Sequence, residues 1–265
     1  MGGEPFYKAH WIDIGPDRMA AYRDGFAWDD AAAHLYDPAG IAAGHRVVDF
    51  GCGPGKVAAV LAQLVGPDGH VEAIDINAAF LDLTRETAMA HGVADRVTTH
   101  LNDGSRLPLA DRSVDRVTAR NAIMYVDDPV ATLSEAHRVL KPGGLAHAID
   151  GDWYMMVAEP LDHDDWRAVV KAASHACRHA DMGRKLHQAF AMAGFQDIKV
   201  KISATADLTG RLMGMIRNMA SYAQQSDRID RERADEVVSQ MDRALSEGTY
   251  LVVSPQFVVT GRATG

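Results

Sequence analysis

The chain has 265 residues, 47% of them hydrophobic, and its 36 acidic against 27 basic side chains leave a net charge of −9. That length suits one large α/β domain or a core with a smaller appendage, and an acidic balance without a long Lys/Arg run argues against a nucleic-acid partner. Two lone cysteines, Cys52 and Cys177, make no disulfide framework. No stretch reaches the ~18 apolar residues of a membrane span, and Met1 to Trp11 holds no signal-peptide core, so a reducing cytoplasm is the expected compartment.

Residues 1–45 read as a polar, Ala-rich helical cap, with Asp29 or Asp30 as N-cap of a helix toward Tyr36. Val47 to Phe50 is a short apolar run ending in Gly51-Cys52-Gly53-Pro54-Gly55, and a helix follows with Val57, Val60, Leu61 and Leu64 on one face. After Gly66-Pro67 come a buried strand over 71–75 and a helix capped by Asn77. A weaker strand spans 97–101, a turn-rich loop 102–113, and another strand 114–119. Asp128-Pro129 opens a helix that runs to Leu140, and Leu145 to Asp150 is the fifth strand. Repeated β-then-α units of this spacing imply a Rossmann-like, doubly wound, mostly parallel sheet in residues 46–150, because each parallel strand needs a crossover.

Residues 151–265 are expected to complete the sheet. Segments 164–178 and 184–193 look helical, and Ile198, Val200 and Ile202 alternate with Lys199 and Lys201 as in a half-exposed strand. Helices follow over 209–223 and 230–245, and Pro255 splits the last apolar stretch, 250–260. The region 209–247, with Leu212, Met213, Met215, Ile216 and Met219, is the candidate substrate lid, its flexible thioethers suited to an apolar or aromatic acceptor or simply to core packing.

A glycine turn after the first strand lets backbone approach a ligand outside the carboxyl ends of the strands. The dinucleotide fingerprint needs a third glycine where Lys56 stands, which disfavours a nicotinamide-dependent oxidoreductase. Asp75, ending the second strand, can accept hydrogen bonds from both ribose hydroxyls of NAD or of an adenosyl ligand. Asn102-Asp103-Gly104 puts an amide and a carboxylate where an adenine amino group could donate.

In these blocks, together with Leu107-Pro108, Asp115 and Glu135 to Gly144, the chain resembles the class I S-adenosylmethionine-dependent methyltransferases, in particular the small-molecule branch with the ubiquinone/menaquinone-type enzymes. The resemblance is close over roughly residues 40–150. It implies that Asp49, Gly51, Cys52, Gly53 and Gly55 surround the methionine part and ribose, and that Asp75 binds the ribose hydroxyls. It further implies that Ile76 packs on the adenine, that Asn102, Asp103 and Gly104 meet the adenine edge, and that Arg120 and Asn121 offer backbone to the ammonium. The expected activity is methyl transfer to O, N or C of a small organic molecule, without a metal. Cofactor use without methyl transfer, or regulation, is the main alternative, and a homodimer is left open.

Methyl transfer from a sulfonium mainly requires alignment and exclusion of water, with a general base for some acceptors. Asp150 and Asp152, after the fifth strand with Trp153, are candidates for that work. His175 and His179, read as four apart on one helix face beside Asp181, are candidates too; without a Glu between them or a further cysteine ligand they make no zinc site. His147 reads as a buried histidine. Tyr7, Trp11, Tyr22, Arg23 and Trp28 are expected to close over the cofactor from the N-terminal side. Asn121 to Met124 lack the Asn/Asp-Pro-Pro-Tyr of amino-methylating enzymes, and Arg120 and Asn121 do not fit the magnesium-binding acids of catechol-type enzymes.

Overall fold

A computed structural model describes residues 4–25, 33–103 and 105–264. The expected cap at Asp29 or Asp30, Trp28 and Gly104 lie outside the described residues.

Ten strands and nine helices are described. Strands β1 (Arg46–Phe50), β2 (His70–Asp75), β3 (Val97–Leu101), β4 (Val114–Arg120), β5 (Leu140–Gly151), β7 (Gln196–Ser203) and β10 (Gln256–Arg262) form one sheet in the order β3-β2-β1-β4-β5-β10-β7. The pairs β1 with β2, β1 with β4, β2 with β3 and β4 with β5 are parallel, whereas β10 runs antiparallel to both neighbours. The direction of winding reverses between β1 and β4, so the crevice outside their carboxyl ends is where a ligand is received.

Helices α3 (Lys56–Val65) and α4 (Ala78–Ala90) pack on one face, where Val47, Leu61, Val71 and Leu81 share a core. On the other face, α5 (Pro129–Val139) and α7 (Met182–Met192) bury Leu133, Leu186 and Phe190 against Val48 and Val117. Two predicted helix starts have a local cause that the structure displays. The Asn77 side chain accepts from Phe80 N, and Asp128 accepts from Val130 N and Ala131 N with Pro129 at the first helical position.

The C-terminal half has a core of its own. Helices α6 (His163–Ala173), α8 (Met213–Gln225) and α9 (Arg231–Glu247) bury Trp166, Val169, Ile216, Met219 and Met241 against a small sheet of β6 (Val157–Glu159), β9 (Leu251–Val253) and β8 (Ala206–Asp207). Met213 and Met219 are therefore interior packing residues. The N-terminal helices α1 (Phe6–Ile12) and α2 (Pro16–Gly25) complete the described elements.

One helix ends earlier than its sequence pattern. Segment 164–178 reads as a single helix, yet α6 stops at Ala173 and a short 3-10 turn over Ser174–Ala176 follows. The Ser174 hydroxyl bonds back to Lys171 O at 2.8 Å, competing with the helical ladder, and Cys177 is extended. His175 and His179 consequently do not share a helix face.

Candidate functional site

The turn after β1 is shaped by its glycines. Gly51, Gly53 and Gly55 all have positive φ, at 72°, 52° and 83°, where a Cβ is strained. A Cβ on Gly51 would stand 2.6 Å from Ala122 Cβ, and one on Gly55 2.6 Å from Thr84 Cα, while Gly53 has nothing within 4 Å. Glycine at 51 and 55 thus permits close packing, and glycine at 53 leaves open backbone. The turn is also tied from α4: the Thr84 hydroxyl donates to Gly53 O at 2.9 Å and Thr87 to Pro54 O at 2.9 Å.

Two buried carboxylates frame the turn. Asp75 accepts from Gly53 N at 2.8 Å through Oδ2 and from Asn77 N at 2.9 Å through Oδ1. Each oxygen keeps a second lone pair, since a carboxylate offers about four acceptor sites. Burial raises its pKa against the backbone N–H groups that hold the anion. Asp49 is 3% exposed and its Oδ2 has no hydrogen-bond partner among the described residues. Its pKa is pushed up to about 7, by burial first and by the Asp75 charge second, with Thr118 and Arg120 opposing.

The other expected crevice residues lie around this centre. Ile76 is half-buried beside Asp75. Asn102 N bonds Asp75 O at 2.9 Å, and Asn102 Nδ2 bonds Arg106 O at 2.8 Å. Asp103 is exposed, accepts from Ser105 N, and has Lys8 Nζ 3.8 Å away; the Ser105 bonds hold its pKa low. Arg120 ends β4, and Asn121 follows at φ 49° with its N–H on Ile149 O. Cys52 is buried, and burial raises its thiol pKa well above the ordinary value, so it stays a neutral packing thiol.

Of the remaining candidates, the side chains of Asp152 and His175 have partners, whereas both Asp150 oxygens and His179 Nε2 are buried without one among the described residues. Asp150 is fully buried near the amides of Ile123 and Met124, and burial raises its pKa well above the ordinary carboxylate value. Asp152 caps the turn at Trp153–Met155 through Tyr154 N and is ion-paired with Arg184, one contact being 2.9 Å. Both of its oxygens are therefore occupied in fastening α7. His175 Nε2 lies 2.8 Å from Tyr222 O, and His179 N donates to Met124 O. His147 is buried against Leu35 O, as its position in a strand suggests. Among the described residues no group of three or more His, Cys, Asp and Glu is arranged to hold a metal ion.

The sequence singled out Tyr7, Trp11 and Tyr22 of the cap, but not Lys8, His10 or Arg18, nor the partners that the cap residues meet. Trp11 O accepts from Asn77 Nδ2 at 2.7 Å, joining α1 to the Asp75 end of β2. Lys8 lies 3.8 Å from both Asp103 and Asp127, and Tyr7 donates to Asp127. Arg18, in α2, donates to His10 O at 3.0 Å and to Tyr222 OH at 3.1 Å, with its guanidinium 5.2 to 5.8 Å from the rings of Trp11, Tyr22 and Tyr222. These are cation–π distances. The i, i+4 spacing of Phe6 and His10 was the available signal; Arg18 and Tyr222 had none, being distant in sequence.

A family model described as a methyltransferase domain matches residues 47–144. Methyltransferase GfsG of Streptomyces halstedii is 34% identical over 156 residues, covering 52% of this chain and 55% of that protein. The ubiquinone/menaquinone biosynthesis C-methyltransferase UbiE of Hahella chejuensis is 36% identical over 108 residues, covering 41% and 43%. The chain thus spans about half the length of these curated relatives. A solved structure of phosphoethanolamine N-methyltransferase 2 from Haemonchus contortus superposes with a TM-score of 0.65 at 18% identity, over 99% of this chain and 61% of that one. Residues 47–144 thus match a methyltransferase domain, and the sheet built around them has the fold of the solved methyltransferase structures.

Proposed function

We propose that this protein binds S-adenosylmethionine at the β1/β4 crevice and directs its methyl group to a small organic acceptor. The observation that carries the reading is the pair of buried acids around an open glycine turn: Asp49, whose Oδ2 has no partner among the described residues, and Asp75, held by Gly53 N and Asn77 N. An unpartnered buried carboxyl is costly unless a ligand completes it. A ligand with a cationic amino acid end and a ribose completes both.

In this reading Asp75 turns its remaining lone pairs to the ribose hydroxyls, while its bond to Gly53 N holds the turn in place. Asp49 faces the cationic end, Ile76 covers the adenine, and Asp103 and Asn102 meet its edge. The backbone at Arg120 and Asn121 lines the opposite wall. When bound, the cofactor supplies a methyl group on a positively charged sulfur, which needs no further activation. The task of the protein is then to position an acceptor, exclude water and take up any proton released. Lys56 in place of a third glycine supports this ligand over a dinucleotide.

Mass spectrometry of turnover mixtures tests the reaction class. A methyltransferase adds one methyl to an acceptor and releases S-adenosylhomocysteine in equal amount. Acceptor conversion without mass gain would move the protein to a non-methylating use of the same cofactor.

A further inference from the structure

Of the glycines at 51, 53 and 55, only Gly53 has open space where a side chain would stand, and its own covalent structure leaves it free to rotate. Yet both of its backbone polar groups are held, and from different elements. Its N–H donates to Asp75 Oδ2 at 2.8 Å, at the end of β2. Its carbonyl oxygen lies 2.9 Å from the Thr84 hydroxyl, in α4. The first bond fixes the peptide before Gly53 and the second the peptide after it, so together they set both backbone torsions of a residue that glycine chemistry leaves loose.

Thr84 is buried, at 0% exposure, and its hydroxyl has one hydrogen for two acceptors, Gly53 O and Phe80 O, each at 2.9 Å. Phe80 O sits inside α4 and receives the helical N–H of Thr84 itself. Besides Thr84, Gly53 O has among the described residues only the Cys52 thiol, a weak donor 3.7 Å away. A carbonyl left without a good donor costs more than a second donor on a satisfied one gains, which assigns the hydroxyl hydrogen to Gly53 O. Cys52 Sγ, 3.6 Å from Thr84 Oγ1, is placed to donate to that oxygen in turn. The approach of α4 depends on the turn as well: a Cβ on Gly55 would stand 2.6 Å from Thr84 Cα, so glycine at 55 lets the hydroxyl come within reach. Thr87, further along the same helix, repeats the tie on Pro54 O at 2.9 Å.

We propose that Thr84 is a positioning residue for the cofactor: its hydroxyl sets the Gly53–Pro54 peptide, aims the Gly53 N–H at Asp75 Oδ2, and so presents the Asp75 carboxylate to the ribose hydroxyls in one orientation. This rests on the methyltransferase reading above. Having no exposed surface, Thr84 reaches the ligand only through Gly53 and Asp75. Without its hydroxyl the turn samples orientations in which the Asp75 bond is lost. Binding then has to supply the ordering, which lowers affinity without removing any contact to the ligand. A hydroxyl that merely back-bonded its own helix would change stability and leave affinity alone.

The test is calorimetric titration of the full chain with S-adenosylhomocysteine. Thr84→Val keeps the shape and removes the hydroxyl, and its affinity should fall at least about threefold. Thr84→Ser, which returns the hydroxyl, should bind more tightly than Thr84→Val. A double-mutant cycle separates positioning from general loosening: added to Asp75→Ala, Thr84→Val should leave the remaining affinity unchanged within about twofold, because the path from Thr84 to the ribose is already cut. Thermal melts establish that each variant folds, and Thr84→Ala, which adds no bulk, takes the place of Thr84→Val in both backgrounds if the valine protein does not. Failure of the parent to bind S-adenosylhomocysteine would overturn the methyltransferase reading and this inference with it. Normal binding by the parent overturns the positioning role alone if Thr84→Val loses less than about threefold, if Thr84→Ser recovers nothing, or if the loss in Asp75→Ala exceeds about twofold.

Discussion

Asp49→Asn separates what folding needs at the crevice from what the ligand needs. The Asp49 carboxyl is wholly enclosed, and burial followed by the Asp75 charge lifts its pKa from 3.8 to about 7. The folded state therefore holds the proton more tightly than the unfolded chain, and its stability falls as pH rises from about 4 to about 7. At about 1.4 kcal/mol per pH unit, the penalty approaches ~4 kcal/mol above pH ~7 and vanishes below pH ~4. Asparagine removes the charge with almost no change of shape. The ligand-free variant should thus gain up to about 4 kcal/mol near pH ~8, on the order of 10 °C in Tm for a chain of this size, and almost nothing near pH ~4. The same change should weaken S-adenosylmethionine by about 1.5–3 kcal/mol, since a hydrogen bond to a charged partner is lost. Thermal melts across that pH range, paired with calorimetric titration, measure both effects. A variant less stable than its parent at the higher pH, or equally stabilised at both ends, would refute the reasoning.

The pH dependence of the parent follows from the same group: S-adenosylmethionine affinity should decline as pH falls below about 7, where Asp49 takes up its proton, and equal affinities about two pH units apart on either side would count against it. In the glycine turn, Gly55→Ala should destabilise the fold by well over about 1 kcal/mol, because its Cβ would meet Thr84 backbone at 2.6 Å, whereas Gly53→Ala has open space and should cost roughly 1 kcal/mol. Denaturant melts of the two proteins, run side by side, decide this. Arg184→Met should cost about 2 kcal/mol by stranding Asp152, whose side chain is 0% exposed; the half-exposed Arg184 keeps this below the roughly 3–5 kcal/mol of a fully buried pair. Adding Asp152→Asn to Arg184→Met should restore part of the loss, and a melt in which it restores none would dissociate the two residues.

The parallel core was legible because its determinants are local. Asn77 and Asp128 announce their helices through a side chain three residues away, and a short Val-rich run before three glycines has few other uses. Strands β6 and β8, three and two residues long, are too short for any period to show. The fate of Asp152 was hidden for another reason: Arg184 lies 32 residues on, and only the docking of α7 makes it a partner. Asp150 lies near the carboxyl end of β5, as its sequence position suggests, but its burial beside the amides of Ile123 and Met124 has no local signal. The pairing of His175 with His179 failed at Ser174, whose hydroxyl ends the helix that would have aligned them. The packed aromatic cluster around Arg18 was least legible, because Arg18 and Tyr222 are 204 residues apart and neither carries a motif.

The central claim is that the two acids and the glycine turn receive S-adenosylmethionine. Isothermal titration of the purified chain with S-adenosylhomocysteine, repeated on Asp75→Ala, tests it most directly. The account predicts one site on the parent and an affinity lower by roughly 1.5–3 kcal/mol in the variant, from two hydrogen bonds lost to hydroxyls and a loosened Gly53. Absence of binding to the parent, or an unchanged affinity in a folded Asp75→Ala protein, would contradict it.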